Sequence, residues 1–212
     1  MDRVSEMLRL YAVTDRAWVG RQTLPQQVES ALKGGATCVQ LREKNLGDAA
    51  ILAEALEIAA LCRNYGVPFI LNDNVTLAAR CGADGVHLGQ EDMDPAEARR
   101  ILGPDKIIGA SAHNVAEAVA AYQAGADYLG CGAVFGSATK TDASHLPEGE
   151  LARVCAATPL PVVGIGGITE ENLPRLAGSG VAGVALVSAL FAPADKPAAV
   201  ARLLTALEKT LG

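Results

Sequence analysis

Gly82-Ala83-Asp84-Gly85-Val86 and Gly125-Ala126-Asp127-Tyr128-Leu129 are two copies of one local design. Each opens on a glycine placed to stop a helix, turns on small residues and runs into an apolar strand. Gly35-Ala36 and Gly180-Val181-Ala182-Gly183-Val184 repeat the shape. Glycine takes the left-handed conformation that ends a helix without a Cβ penalty, so the recurrence marks a helix-to-strand loop used again and again.

Working outward from these loops gives eight strands, near 9–14, 37–42, 68–72, 84–88, 107–111, 126–131, 161–165 and 182–187. Between them lie helical stretches. From Asp48 to Asn64, the residues Ile51, Leu52, Ala55, Leu56, Ile58, Ala59 and Cys62 recur on a helical period. Asp94-Pro95-Ala96-Glu97 offers a cap, a first-turn proline and the acidic position of a capping box. Asn114 with Glu117 repeats that spacing, and Thr169-Glu170-Glu171 places acids at an expected helix start. Strand–helix alternation alone also fits a doubly wound open sheet. The repeats and the count of eight favour an α/β fold of one (β/α)8 TIM barrel, with residues 1–212 as a single catalytic domain.

The composition excludes several classes of function. The chain has 212 residues, half of them hydrophobic, which suits one sizeable core. A net charge of −6 argues against general affinity for nucleic acid or anionic membranes, and 4% aromatics argues against base-stacking platforms. The five cysteines are scattered without a C-x-x-C pair and sit mostly in apolar runs, as reduced packing residues do. Met1 to Glu6 has no hydrophobic signal core, and the apolar run around 181–192 is too short for a membrane span. The expectation is a cytoplasmic protein.

In such barrels the chemistry lies where strands run out into the following helix. Those points carry Thr14-Asp15, Gln40-Leu41-Arg42-Glu43-Lys44, Asn72-Asp73, His87 to Asp92, Ser111-Ala112-His113, Gly132 to Lys140, Gly166-Gly167 and Val187-Ser188. Barrels often bind phosphate with the seventh and eighth loops, where backbone N–H groups and a helix start favour an anion. Two tight turns would give the same local sequence. Asp73 and Asp92 form the natural metal pair, because Mg²⁺ takes one or two carboxylates together with waters and substrate phosphates. Asn74 and Asp94 are better explained as helix caps. The long stretch from Gly132 to Gly149 suits a loop that closes over an anion, with Lys140 as a mobile charge, although a solvated turn would also fit. His87 reads equally as a packed core residue, His113 directly precedes a cap, and His145 is isolated.

The order of these motifs resembles one family. Q-L-R-E-K, N-D, G-Q-E-D, S-A-H, a G-x-x-F-x-[ST]-x-T-K loop and G-I-G-G-I stand at successive strand ends, and the resemblance runs from Leu10 to about Phe191. The chain is similar to thiamine phosphate synthases. The resemblance implies a Mg²⁺-dependent transferase that joins a hydroxymethylpyrimidine diphosphate to a thiazole phosphate and releases pyrophosphate. Carried over motif by motif, Gln40 to Lys44, Asn72, Ser111 and Lys140 would bind the pyrimidine diphosphate. Arg42, Lys44, Ser111 and Lys140 would act on the leaving group, and Asp73 and Asp92 would hold Mg²⁺. Ser137, Ala138, Thr139, Gly167, Val187 and Ser188 would bind the thiazole phosphate. For Glu43 two roles stay open: orienting Arg42 or Lys44, or meeting the pyrimidine amine.

The loop departs from the family's usual G-P-x-F-P-T-x-T-K, with Ala133, Gly136 and Ser137 in place of Pro, Pro and Thr. Ser137 keeps the hydroxyl, and loss of both prolines should leave the loop less rigid. In a related thiazole tautomerase branch the resemblance implies a catalytic His where Ala133 stands here. A non-catalytic barrel that senses a phosphorylated metabolite would have no use for two carboxylates opposite three cations.

Overall fold

A computed structural model describes residues 3–136 and 145–212. Eight parallel strands close in chain order into a barrel: β1 Leu10–Val13, β2 Cys38–Leu41, β3 Phe69–Asn72, β4 Gly85–Leu88, β5 Ile107–Ala112, β6 Tyr128–Cys131, β7 Val162–Ile165 and β8 Gly183–Leu186. The closing ladder pairs Leu10 with Val184 and Ala12 with Leu186. The eight expected strands are all present.

Outside the strands lie α1 Arg3–Met7, α2 Leu24–Gly34, α3 Asp48–Tyr65, α4 Val75–Cys81, α5 Pro95–Leu102, α6 Val115–Gln123, α7 Glu150–Ala157, α8 Ser188–Phe191 and α9 Lys196–Leu211. Several helices start where the caps predict. The Asp94 side chain accepts from Ala96 N, and the Asn114 side chain accepts from Glu117 N. Gly35 and Gly82 end α2 and α4 at φ 104° and 68°, the left-handed stops anticipated from the repeats.

The third position of the repeat has a structural job of its own. Asp84 accepts from Phe69 N through Oδ2, while its own N–H donates to Phe69 O. Asp127 makes the same pair of bonds with Ile108, and Thr37 does so with Leu10. One short polar side chain thus closes the bottom of each of three strand pairs and satisfies backbone groups that would otherwise be stranded there.

Strand alternation then sorts the side chains into two layers. Leu10, Val39, Leu41, Leu71, Val86, Leu129 and Val184 point outward and are buried beneath the helices. Tyr11, Val13, Cys38, Ile70, Tyr128, Val163 and Ala185 point inward and fill the axis, with Met7 and Leu8 closing its lower end.

One expected element differs. The segment after β7 forms no α-helix at Thr169 but a 3₁₀ turn at Leu173–Leu176. Asn172 Oδ1 accepts from Thr169 N, and Asn172 Nδ2 donates to Gly167 O, so the acids of Glu170 and Glu171 stand in a folded-back loop. Pro174 and the glycines at 178 and 180 leave too little chain for a full helix.

Candidate active site

The inward layer stops short of the upper end of the barrel and leaves a cavity of about 390 Å³. Gln40, Arg42, Lys44, Asn72, Asp73, Asp92, Ser111, Gly167, Val187 and Ser188 all line it. They come from six strand ends that are distant in sequence, and parallel closure brings them to one mouth. Two residues of the Gln40–Lys44 run do not face the cavity. Leu41 is fully buried beneath the helices, because alternation turns it outward while Gln40 and Arg42 turn inward. Glu43 also turns away. Ser137, Ala138, Thr139 and Lys140 lie outside the described residues.

The partners of Glu43 decide its role. Its Oε2 lies 2.6 Å from Arg16 Nε, and its Oε1 accepts from the N–H groups of Lys44 and Asn45. Arg16 also reaches Glu54 on α3 at 2.6 Å. Burial pushes the Glu43 carboxyl up, but the hydrogen bonds from Arg16, Asn45 and Lys44 outweigh it and hold the group below the ordinary glutamate range. Glu43 therefore anchors the loop that carries Arg42 and Lys44. Thr14 adds a second anchor by accepting from Arg42 N at 3.0 Å.

Lys44 Nζ lies 2.5 Å from Asp73 Oδ2, joining the loops after the adjacent strands β2 and β3. Asp73 has φ 63° and is the one non-glycine with positive φ among the described residues. Such a conformation costs on the order of 1–3 kcal/mol and persists only where the surroundings hold it. Here the Asp73 N–H donates to His87 O at 2.8 Å, and Asn74 caps α4 through Leu77 N, which frees Asp73 to aim at the cavity.

Asp92 accepts from Gly89 N at 2.7 Å. Its carboxyl is pushed up first by burial and then by the adjoining Asp73 carboxylate, while Gly89 N–H and Lys44 pull the other way. Two carboxylates that repel each other beside an open cavity are a donor set suited to a hard divalent cation. Among the described residues no group of three or more His, Cys, Asp or Glu gathers at one point.

At the opposite wall, Gly166 and Gly167 take φ 100° and 65° and pack against Ala133 and the carbonyls of Phe135 and Gly136. A Cβ at Gly167 would stand 2.7 Å from either carbonyl oxygen, so only glycine allows this approach. The loop after β6 is tied down as far as it is described: Val134 N and Phe135 N donate to Ile165 O and Gly166 O, and Arg175 stacks on Phe135 at 4.6 Å. Gly136 sits at φ 82°, which proline, locked near −65°, cannot adopt. The chain therefore follows its own path where the family pattern has proline.

Tyr11 and His87 form the floor, with Tyr128 buried beneath them and bonded to both, and neither tyrosine was anticipated as part of the site. A signal existed: Gly109 and Gly130 interrupt strands, and a glycine inside a strand often makes room for a neighbour. The cysteines play no part in the mouth. Burial pushes Cys62 and Cys131 up to about 12 and Cys155 to about 11, so none is a ready thiolate.

The family model for thiamine monophosphate synthase matches residues 10–190. The chain belongs to this family. The thiamine-phosphate synthase of Ruminiclostridium cellulolyticum is 43% identical over 92% of the chain and 93% of its own length. That of Chloroflexus aurantiacus is 45% identical, covering 94% and 92%. The solved thiamine phosphate pyrophosphorylase from Pyrococcus furiosus is 36% identical, with a TM-score of 0.89 over 99% of this chain and all of that one. A geranylgeranylglyceryl phosphate synthase from Thermoplasma acidophilum shares the fold at 15% identity and a TM-score of 0.71. At that identity the likeness concerns the fold alone.

Proposed function

We infer that the chain is a thiamine phosphate synthase, a transferase that condenses 4-amino-2-methyl-5-hydroxymethylpyrimidine diphosphate with thiazole phosphate. The observation that carries this reading is the meeting of Arg42, Lys44, Asp73 and Asp92 at one cavity in a chain 43–45% identical to thiamine-phosphate synthases over more than nine-tenths of its length.

In the reaction, the bond between the pyrimidine methylene carbon and the diphosphate oxygen breaks, and its electron pair leaves with pyrophosphate. The thiazole nitrogen then gives its lone pair to the resulting pyrimidine-methyl cation, forming the carbon–nitrogen bond of thiamine phosphate. Arg42 and Lys44 stabilise the charge that grows on the departing oxygens, and they act from fixed positions in a partly dry cavity. Asp73 and Asp92 fit Mg²⁺, which would supply the remaining charge neutralisation on the diphosphate. Lys44 is paired with Asp73, and a cation held by Asp73 and Asp92 would leave its ammonium group to the diphosphate oxygens.

Gln40 and Asn72 orient the pyrimidine, and Ser111 meets the diphosphate. Gly167, Val187 and Ser188 offer backbone N–H groups to the thiazole phosphate on the far wall, and the family resemblance assigns Ser137, Ala138 and Thr139 to that phosphate and Lys140 to the diphosphate. Holding two substrates in register removes much of the entropic barrier to their union. Two small-molecule substrates handled without a membrane fit a cytoplasmic enzyme, and no helix among the described residues is long and apolar enough to cross a membrane.

Ala133 separates this reading from the tautomerase one. Its methyl group lines the cavity where a tautomerase would carry a basic imidazole. Incubating the protein with both substrates and Mg²⁺ should release one pyrophosphate per thiamine phosphate formed. Conversion of the thiazole substrate without pyrophosphate would instead identify an isomerase, and no turnover at all a binding protein.

A further inference from the structure

Five polar side chains form a continuous chain, four of them lining the cavity and Tyr128 buried beneath it. Gln40 Nε2 donates to Tyr11 Oη at 2.8 Å, and Tyr11 Oη lies 2.9 Å from Tyr128 Oη. Tyr128 Oη lies 3.0 Å from His87 Nδ1, and His87 Nε2 lies 3.1 Å from Ser111 Oγ. Both tyrosines are essentially inaccessible to solvent. The surrounding strands are shaped to admit them: a Cβ on Gly109 would fall 2.1 Å from the Tyr128 ring, and one on Gly130 would fall 2.9 Å from the His87 ring.

One proton order satisfies every link of this chain. An amide nitrogen only donates, and a phenol has one proton to give. In that order Tyr11 accepts from Gln40 and gives its own proton to Tyr128, and the Tyr128 proton goes to His87 Nδ1. Burial pushes both phenols well above the ordinary tyrosine range, so each keeps that proton. A ring nitrogen that accepts carries no proton, which places the proton of the neutral imidazole on Nε2. His87 Nε2–H then donates to Ser111 Oγ, and the Ser111 hydroxyl has its own proton left to give.

We propose that His87 is a positioning residue: Tyr128 holds it as the Nε2–H tautomer, and it turns the Ser111 hydroxyl into a donor aimed at the diphosphate end of the pyrimidine substrate. The proposal rests on the reading of Ser111 as a diphosphate ligand. It also gives the two buried tyrosines a role that packing alone does not require, since phenylalanine would fill the same space. Gln40 and Ser111, at the pyrimidine and diphosphate ends of one substrate, become the two ends of a single polarised chain.

Nitrogen-15 NMR of histidine-labelled protein tests the tautomer directly. The chain has three histidines, and the His87 signals are assigned by their loss in His87→Gln. The expected result is an unprotonated Nδ1 and a protonated Nε2 for His87, with the preference lost in Tyr128→Phe. A protonated Nδ1 would overturn the proposal.

A double-mutant cycle tests the consequence for binding. Tyr128→Phe and Ser111→Ala should each raise KM for the pyrimidine diphosphate about tenfold, the double variant by about tenfold rather than a hundredfold, with KM for the thiazole phosphate unchanged. Independent, multiplicative effects would contradict the coupling. Tyr11→Phe breaks the same chain one link farther away and serves if Tyr128→Phe does not fold. If Ser111→Ala leaves KM unchanged, the diphosphate role of Ser111 fails, and the nitrogen signals still decide the tautomer of His87.

Discussion

Glu43 sits in the most charged run of the chain and turns its carboxylate away from the cavity, toward Arg16. Its side chain is 4% exposed, so the interaction is sheltered from water on the glutamate side. The folded carboxyl is held below its ordinary value of 4.5, so its contribution to stability is present above that pH and is lost as pH falls through the folded value. Urea unfolding of the wild type and Glu43→Gln should therefore differ at pH 7 and converge as pH drops well below 4.5. A gap that persists in acid would remove the carboxylate as its cause. At the mouth itself, Asp92→Ala should lower turnover by about a hundredfold or more and weaken the dependence on Mg²⁺, as loss of a metal ligand would. Near-normal turnover would take Asp92 out of the metal site. The residue types at the mouth were legible because unpaired charge at a strand end is informative. The direction of each side chain was not: Leu41 and Glu43 stand beside Gln40 and Arg42 in sequence, and only strand alternation and the distant Arg16 separate them.

Elements explain why some glycines cannot be replaced. A Cβ on Gly183 would stand 2.0 Å from the backbone oxygen of Leu8, and a main-chain neighbour cannot swing aside. Gly183→Ala should destabilise the protein by about 1–3 kcal/mol or more, whereas Gly20→Ala, with nothing within 4 Å, should stay within about 0.5 kcal/mol. Thermal unfolding of the two variants checks the contrast. The loop after β7 depends on Asn172, which holds both Thr169 N and Gly167 O. Asn172→Ala should raise KM for the thiazole phosphate several-fold with little change for the pyrimidine diphosphate. Equal effects on both would point to general loosening. This loop is also where local sequence misled. Thr-Glu-Glu carries the chemistry of a first helical turn, but Asn172 competes for the same N–H groups and folds the chain back into a turn.

At the scale of the whole molecule, the barrel was legible because its signal repeats. Four glycine-headed loops and eight apolar runs constrain one another and favour closure, which the pairing of β1 with β8 completes. The site inherits that regularity, since every residue placed at the mouth stands at or just beyond a strand end. The floor was harder to foresee because the Gln40-to-Ser111 chain joins strands β1, β2, β4, β5 and β6, and no local pattern announces such a contact. The proposed reaction needs one mouth to hold both of its halves, the diphosphate between the cations after β2 and the carboxylates after β3 and β4, the thiazole phosphate on the glycines after β7 and the start of α8. A crystal structure with thiamine phosphate, pyrophosphate and Mg²⁺ tests it most directly. Pyrophosphate should bridge Arg42 and Lys44 to a cation on Asp73 and Asp92, with the thiazole phosphate at Gly167 and Ser188. Pyrophosphate bound away from Arg42 and Lys44, or a cation held by neither aspartate, would contradict it.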